Sequence, residues 1–282
     1  MYNKTVLDNG LRIITNPMPH SRSVCLAILV GVGSCYETRE EAGISHFAEH
    51  LYFKGTQRRP TAKEISQDIE GVGGIINAST DKEVTVFWCK VASPYFFTAL
   101  DVLSDLLLNS RFDDKSIEQE RQIIIEEINM VMDIPQRRVN MLIDELLWPE
   151  QPLGREVAGD KETVGSVTKK QILDYVARRY LPNNAVVSIA GDIRQEKAMA
   201  QIEPLFNKWT AGELSSGYVT DDEQMAARLR IEPRESEQAH LCLAVHGFSH
   251  SHPQRFTLAL LNAVLGVGMS SRLFTEIREQ KG

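Results

Sequence analysis

His46, Glu49 and His50 stand in a His-x-x-Glu-His arrangement inside the run HFAEHLYFKGT, residues 46–56. On a helix, at about 100° per residue, His50 lies roughly 40° from His46, and Glu49 roughly 60° to the other side. All three side chains then leave one face. Two imidazoles one turn apart can grip a single zinc ion, and a carboxylate beside them can take a proton from the water that such an ion activates. The chemistry this suggests is metal-assisted hydrolysis.

A catalytic zinc usually has three protein ligands and one open position. The run from Glu120 to Val131 (ERQIIIEEINMV) offers the third. Read as a helix, it surrounds Glu127 with Ile123, Ile124, Met130 and Val131 at three and four residues. A carboxylate on an apolar face is costly unless it is paired or holds a metal. Glu126, beside Gln122 and Asn129, has a more ordinary environment. Glu120 precedes Glu127 by two turns, about 20° around the helix, and can support the site from the next layer.

The elements that must place these residues can be read from the pattern around them. Asp8-Asn9-Gly10 between two apolar runs signals a hairpin. Residues 23–32 read as a long buried strand, and the metal-motif helix begins near Ala42. Thr61 with Glu64 forms a capping-box pattern, and residues 75–80 and 84–89 read as strands. Ser93-Pro94 opens a helix carrying Phe96, Leu100, Leu103 and Leu107, and Pro135 ends or bends the Glu127 helix. Helices then follow at 136–147 and after Thr168, with a buried strand at 185–190 and a last helix ending near Trp209. Strands and helices alternate without a strict βαβ rhythm, so a mixed α+β sheet is expected rather than a doubly wound one. The basic pair Arg58-Arg59 reads as a solvated loop.

At 282 residues the chain is long enough for one large or two medium domains. Its net charge of −7 argues against nucleic acid or an anionic membrane as the main partner. The N-terminal run lacks the apolar core of a signal peptide, and nothing approaches the length of a membrane span. Cys25, Cys35, Cys89 and Cys242 include no Cys-x-x-Cys pair and read as reduced, small buried residues, which points to a cytoplasmic location. From Ala211 to about Met225 the chain turns polar and acidic, as a linker does. Beyond it, residues 239–248 (AHLCLAVHGF) are similar in type to residues 23–32 (SVCLAILVGV), as if a second copy of the first unit began there.

Residues 46–56 and 120–130 resemble the pitrilysin/insulinase family of zinc peptidases with the inverted motif, nearest to the β-subunit of mitochondrial processing peptidases and its bacterial relatives. Further matching pieces are Gly73-Gly74 with Asn77-Ala78, Thr80, Glu83 and Thr85; Pro152 to Arg155 with Gly159, Lys161 and Glu162; and Met269 to Phe274. The resemblance implies one zinc ion held by His46, His50 and Glu127, with Glu49 as catalytic base and Glu120 in support. It implies an edge strand at Asn77-Ala78 that takes an extended peptide substrate by backbone hydrogen bonds. The fold expected is α+β: a mixed, mainly antiparallel sheet with helices packed on one face, repeated as a second and here incomplete domain. The expected organisation is a zinc-binding peptidase domain over 1–212, a linker over 213–227, and the start of a similar domain over 228–282. Relatives run longer and carry a Tyr with a nearby Arg beyond the point where this chain ends, so the sequence is expected to be a fragment. The function implied is a zinc-dependent endopeptidase acting on unfolded or presequence-like peptides, working as a homodimer or with a related chain. A non-catalytic partner subunit is the alternative.

Overall fold

A computed structural model describes residues 2–214, 217–221 and 223–282. Among the described residues there are six strands: β1 (Asn3–Val6), β2 (Arg12–Pro17), β3 (Ser23–Val30), β4 (Ile75–Thr80), β5 (Thr85–Ala92) and β6 (Ala185–Gly191). They form one sheet in the order β1-β2-β6-β3-β5-β4. The pair β2 and β6 is parallel, and the other four neighbouring pairs are antiparallel. The sheet is therefore mixed and mainly antiparallel, in an α+β chain. β3 is buried at every second residue (Val24, Leu26, Ile28, Val30), so it is covered more tightly on one face than as the evenly buried strand its sequence suggested.

The helices are α1 (Ile44–Tyr52), α2 (Ala62–Glu70), α3 (Phe96–Asn109), α4 (Asp114–Asp133), α5 (Pro135–Leu147), α6 (Lys161–Ser166), α7 (Lys169–Arg179), α8 (Gln195–Phe206) and α9 (Arg255–Gly266). α1 and α2 pack beside β4, and α3 lies on β5 and β3, burying Leu100, Leu103 and Leu106 against the sheet residues Leu26, Ile28 and Phe87. Local chemistry sets the boundaries. The Thr61 hydroxyl accepts from the Glu64 N–H while the Glu64 carboxylate accepts from the Thr61 N–H, closing the start of α2. Thr168 and Gln171 do the same for α7. Pro135 has no N–H to continue α4 and becomes the first residue of α5.

Arg59 corrects the reading of Arg58-Arg59 as a solvated loop. It is 9% exposed and pairs with Asp68, Asp101 and Asp105 at 2.6–2.7 Å, pinning the loop after α1 to α2 and α3. Arg58 remains exposed and takes Asp101 in a two-pronged pair.

The chain divides into two compact units, Met1–His240 and Leu241–Gly282. The candidate linker 213–227 contains residues 215, 216 and 222, which lie outside those described. Past it, Arg230 pairs with Glu145 and Arg138 with Glu232, so the chain is held along α5 before the first unit ends. In the second unit, residues 241–249 form no strand, unlike their counterparts in β3. Leu241, Leu243 and Val245 are 84–90% exposed: apolar alternation is present, but a strand is completed by ladder partners that these residues do not have within the unit. α9 follows. Among the described residues no helix is long and apolar enough to cross a membrane.

Candidate metal centre

The metal helix starts at a fixed point. Gly43, at φ +92°, precedes α1 in a left-handed conformation, and a Cβ there would stand 2.5 Å from the Ala158 carbonyl oxygen. The Glu37 carboxylate, 3% exposed, accepts the N–H groups of Gly43 and Ser45, both at 2.8 Å. It thereby satisfies two of the amides that a helix start leaves open. Burial pushes the Glu37 carboxyl up despite these hydrogen bonds. Ser45 in turn shares a 2.7 Å hydrogen bond with the Tyr175 hydroxyl of α7.

From this start, α1 presents His46, Glu49 and His50 as the spacing requires, and α4 brings Glu127 opposite them. The Oε2 atom of Glu127 lies 3.9 Å from His46 Nε2 and 3.7 Å from His50 Nε2. One ligand atom from each of the three residues falls within 4.8 Å of the others. Around a tetrahedral zinc with bonds of about 2.1 Å, ligand atoms stand roughly 3.4 Å apart, so a small inward movement closes the set. Two neutral imidazoles and one carboxylate suit zinc and leave a fourth position open. Among the described residues this is the one His, Cys, Asp or Glu group close enough to hold a metal.

The Glu127 environment differs from the sequence reading. Ile124 is buried, but Ile123 and Met130 are 44% and 50% exposed, and the Glu127 side chain is itself 40% exposed. Glu127 stands on the rim of the site rather than amid a buried apolar face. Its pairing with two imidazoles marks it as a ligand candidate, and the apolar neighbours do not.

Around these residues the hydrogen bonds are unequal. His50 Nδ1 lies 2.9 Å from Glu120 Oε2, and Lys54 Nζ lies 2.7 Å from Glu120 Oε1. The His46 Nδ1 atom is buried with no hydrogen-bond partner among the described residues. Burial, with His50 beside it, pushes His46 down to about 4. Burial also pulls on His50, but its hydrogen bond to Glu120 and the carboxylates of Glu127, Glu120 and Glu49 outweigh it and raise the imidazole. For Glu120, burial is outweighed by the hydrogen bonds from His50 and Lys54, and the carboxyl is lowered.

Glu49 projects beside the imidazoles, toward the sheet edge. Its Oε2 accepts the Thr80 hydroxyl of β4 at 2.5 Å, and burial raises the carboxyl despite that bond. β4 lies at the edge of the sheet, and Asn77 is exposed there while Ala78 packs inward, with one side of the strand unpaired among the described residues. All seven sequence-nominated residues are thus on β4, α1 and α4. Lys54, Thr80 as a partner of Glu49, and Glu37 were missed. Only Lys54 left a usable signal, four residues after His50 on the same helical face. A cavity of about 660 Å³ lies elsewhere, lined by Tyr52, Asp105, Tyr180 and Trp209.

Comparison with known proteins decides the family. The profile described as Insulinase (Peptidase family M16) matches residues 12–161, and that of the Peptidase M16 inactive domain matches residues 166–282. The chain belongs to peptidase family M16. It is 36% identical over its whole length to the uncharacterized zinc protease YmxG of Bacillus subtilis, covering 68% of that protein. It is also 36% identical to an uncharacterized zinc protease of Streptomyces coelicolor, with 99% of this chain matching 62% of that one. Among solved structures, a Helicobacter pylori protease superposes with a TM-score of 0.85 at 21% identity, over 100% of this chain and 69% of that one. The periplasmic protease PqqL from Escherichia coli gives 0.72 at 27% identity, over 79% of this chain and 26% of that one. The M16 chain thus spans about two thirds of the length of its curated relatives. The two family profiles meet between residues 161 and 166, whereas the fold places β6, beyond that boundary, in the middle of the first unit's sheet.

Proposed function

We propose that this M16 chain carries the catalytic half of a zinc-dependent endopeptidase that hydrolyses extended, unfolded peptides. The observation that carries this reading is the convergence of His46, His50 and Glu127 from α1 and α4, with Glu49 beside them on the same helix. Zinc held by these three residues supplies Lewis acidity toward a water molecule and the scissile carbonyl. Everything else falls to the protein. Glu49 accepts the proton of the attacking water and delivers it to the leaving amine, acting first as base and then as acid. Burial raises its carboxyl, the direction that makes a carboxylate a stronger base toward water. Glu120 keeps His50 oriented.

β4 supports the choice of substrate. As an unpaired edge close to Glu49, it can add an extended peptide as a further strand along Asn77 and Ala78. A folded substrate has few free backbone groups to offer such an edge, which favours unfolded or presequence-like segments. The names of the curated relatives as zinc proteases support the same assignment. We place a second copy or a related chain opposite the site as the partner that completes a closed chamber.

The test is the Glu49→Gln variant, which keeps the shape of the side chain and removes the base. Zinc content should stay at one per chain while peptide turnover falls by two orders of magnitude or more. Cleavage at the parental rate would remove Glu49 from the role of base. A zinc-loaded chain that cleaves nothing, even beside its partner chain, selects the non-catalytic subunit instead.

A further inference from the structure

His50 and His46 differ in what holds them. Glu120, with a side chain 4% exposed, offers one oxygen to His50 and the other to Lys54, at 2.9 and 2.7 Å. His46 has no equivalent, since its Nδ1 atom is buried without a partner among the described residues. The rotational setting of the ligand pair therefore rests on one chain of contacts, Lys54 to Glu120 to His50. Lys54 sits just past α1, where its N–H donates to the Leu51 carbonyl and carries the helical turn onward. Its position four residues after His50 lets its ammonium reach the same carboxylate.

We infer that Lys54 is a positioning residue for the metal centre: by holding Glu120, it keeps the His50 proton on Nδ1 and leaves Nε2 bare for a divalent cation. An ionised carboxylate only accepts hydrogen bonds, so the 2.9 Å contact requires a proton on Nδ1. A neutral imidazole with that proton on Nδ1 has its lone pair on Nε2, the nitrogen 3.7 Å from Glu127. Without the ammonium, Glu120 is a buried carboxylate with one partner instead of two, and its plane is free to turn away from His50. The imidazole proton can then settle on Nε2, where it blocks coordination. The positive charge of Lys54 also opposes a nearby cation. The Glu120 carboxylate stands between the two and offsets that repulsion, so orientation prevails.

This inference rests on the metal-site reading and not on catalysis. The experiment titrates the full chain with Zn²⁺ against a competing chelator and records the ¹⁵N shifts of the His50 ring before zinc is added. Lys54→Met should raise the zinc Kd about tenfold, the lower end of the range for outer-layer partners, because Lys54 acts through Glu120. It should also move His50 toward a mixture of tautomers. Lys54→Arg should restore both readings to within about twofold, and Lys54→Gln serves if the Met variant does not fold. Zinc binding by folded Lys54→Met or Lys54→Gln that equals or exceeds the parent overturns the proposal. Zinc bound at one per chain without any peptide cleavage, even beside the partner chain, removes the peptidase reading and leaves the role of Lys54 intact.

Discussion

The Thr80 hydroxyl donates to Glu49 Oε2 at 2.5 Å, joining the helix that carries the metal motif to the edge strand beside it. The bond fixes the Glu49 carboxylate against β4. Thr85, across from Thr80 in the β4–β5 register, holds this corner of the sheet through its own bond to the Val32 carbonyl. Thr80→Val removes the hydroxyl and little volume. Its expected effect is a fall in kcat on the order of tenfold, with zinc content and KM nearly unchanged, since the base loses its alignment and the ligands do not. Thr80→Ser should recover most of that loss. Steady-state kinetics beside metal analysis checks this, and an unchanged kcat in Thr80→Val would remove the link.

His46 predicts an acid-side loss of stability. Its value of about 4 lies below the ordinary 6.5 because of burial, with His50 adding to the effect. Above pH 6.5 the imidazole is neutral in both the folded and unfolded chain and contributes no pH dependence. As pH falls below 6.5 the unfolded chain takes up a proton that the folded chain refuses until about pH 4, so stability is lost across that window. A separation of that size is worth up to about 3 kcal/mol. In the presence of chelator, His46→Gln should therefore gain about 2 kcal/mol on the parent between pH 7 and pH 4.5. Urea unfolding at the two pH values measures it, and parallel losses in both chains would contradict the assignment.

Glu37 predicts a stability cost that reaches the metal. With its carboxylate gone, the N–H groups of Gly43 and Ser45 at the start of α1 lose their acceptors in a buried setting. Glu37→Ala should cost about 2–4 kcal/mol, as two unsatisfied donors do. Zinc affinity should fall with it, because His46 lies within the first turn of the helix that frays. Glu37→Gln, which keeps one acceptor oxygen, should lose roughly half as much. Denaturant midpoints and zinc titrations on the two variants give the comparison.

What the sequence reveals and hides here divides by distance along the chain. The capping boxes at Thr61 and Thr168 and the break at Pro135 are legible because each is settled within a few residues. The His46–Glu49–His50 face is legible for the same reason. Glu127 is nominated from apolar neighbours of which Ile123 and Met130 turn out to be exposed, and the structure sets it within reach of both imidazoles. The partners of the site residues are different. Thr80 is 31 residues from Glu49, and nothing local announces that the fold will close that pair, whereas Glu120, 70 residues from His50, is legible as a support of the site through its place two turns before Glu127. The position of β6 between β2 and β3 is hidden likewise, since only the closed sheet makes its parallel pairing with β2.

Arg59 supplies the case in which local reading failed outright, and it carries the firmest stability prediction. Its guanidinium reaches Asp68, Asp101 and Asp105, and Asp105 is only 1% exposed. Asp105 Oδ2 also accepts the Thr56 hydroxyl at 2.7 Å, and Oδ1 accepts the Asn109 amide at 3.0 Å, so Asp105 has two neutral partners besides Arg59. Removing the cation by Arg59→Met keeps the length of the stem and leaves a carboxylate in the interior with that hydroxyl and the Asn109 amide alone. Breaking a buried pair from one side costs about 3–5 kcal/mol. Restoring neutrality with Arg59→Met and Asp105→Asn together should recover much of it, because the expense lies in the stranded charge and not in the lost attraction. Urea unfolding of the parent, the two single variants and the double variant completes the cycle. If the double variant is as unstable as the sum of the singles, the charges act independently and the network is ordinary surface pairing.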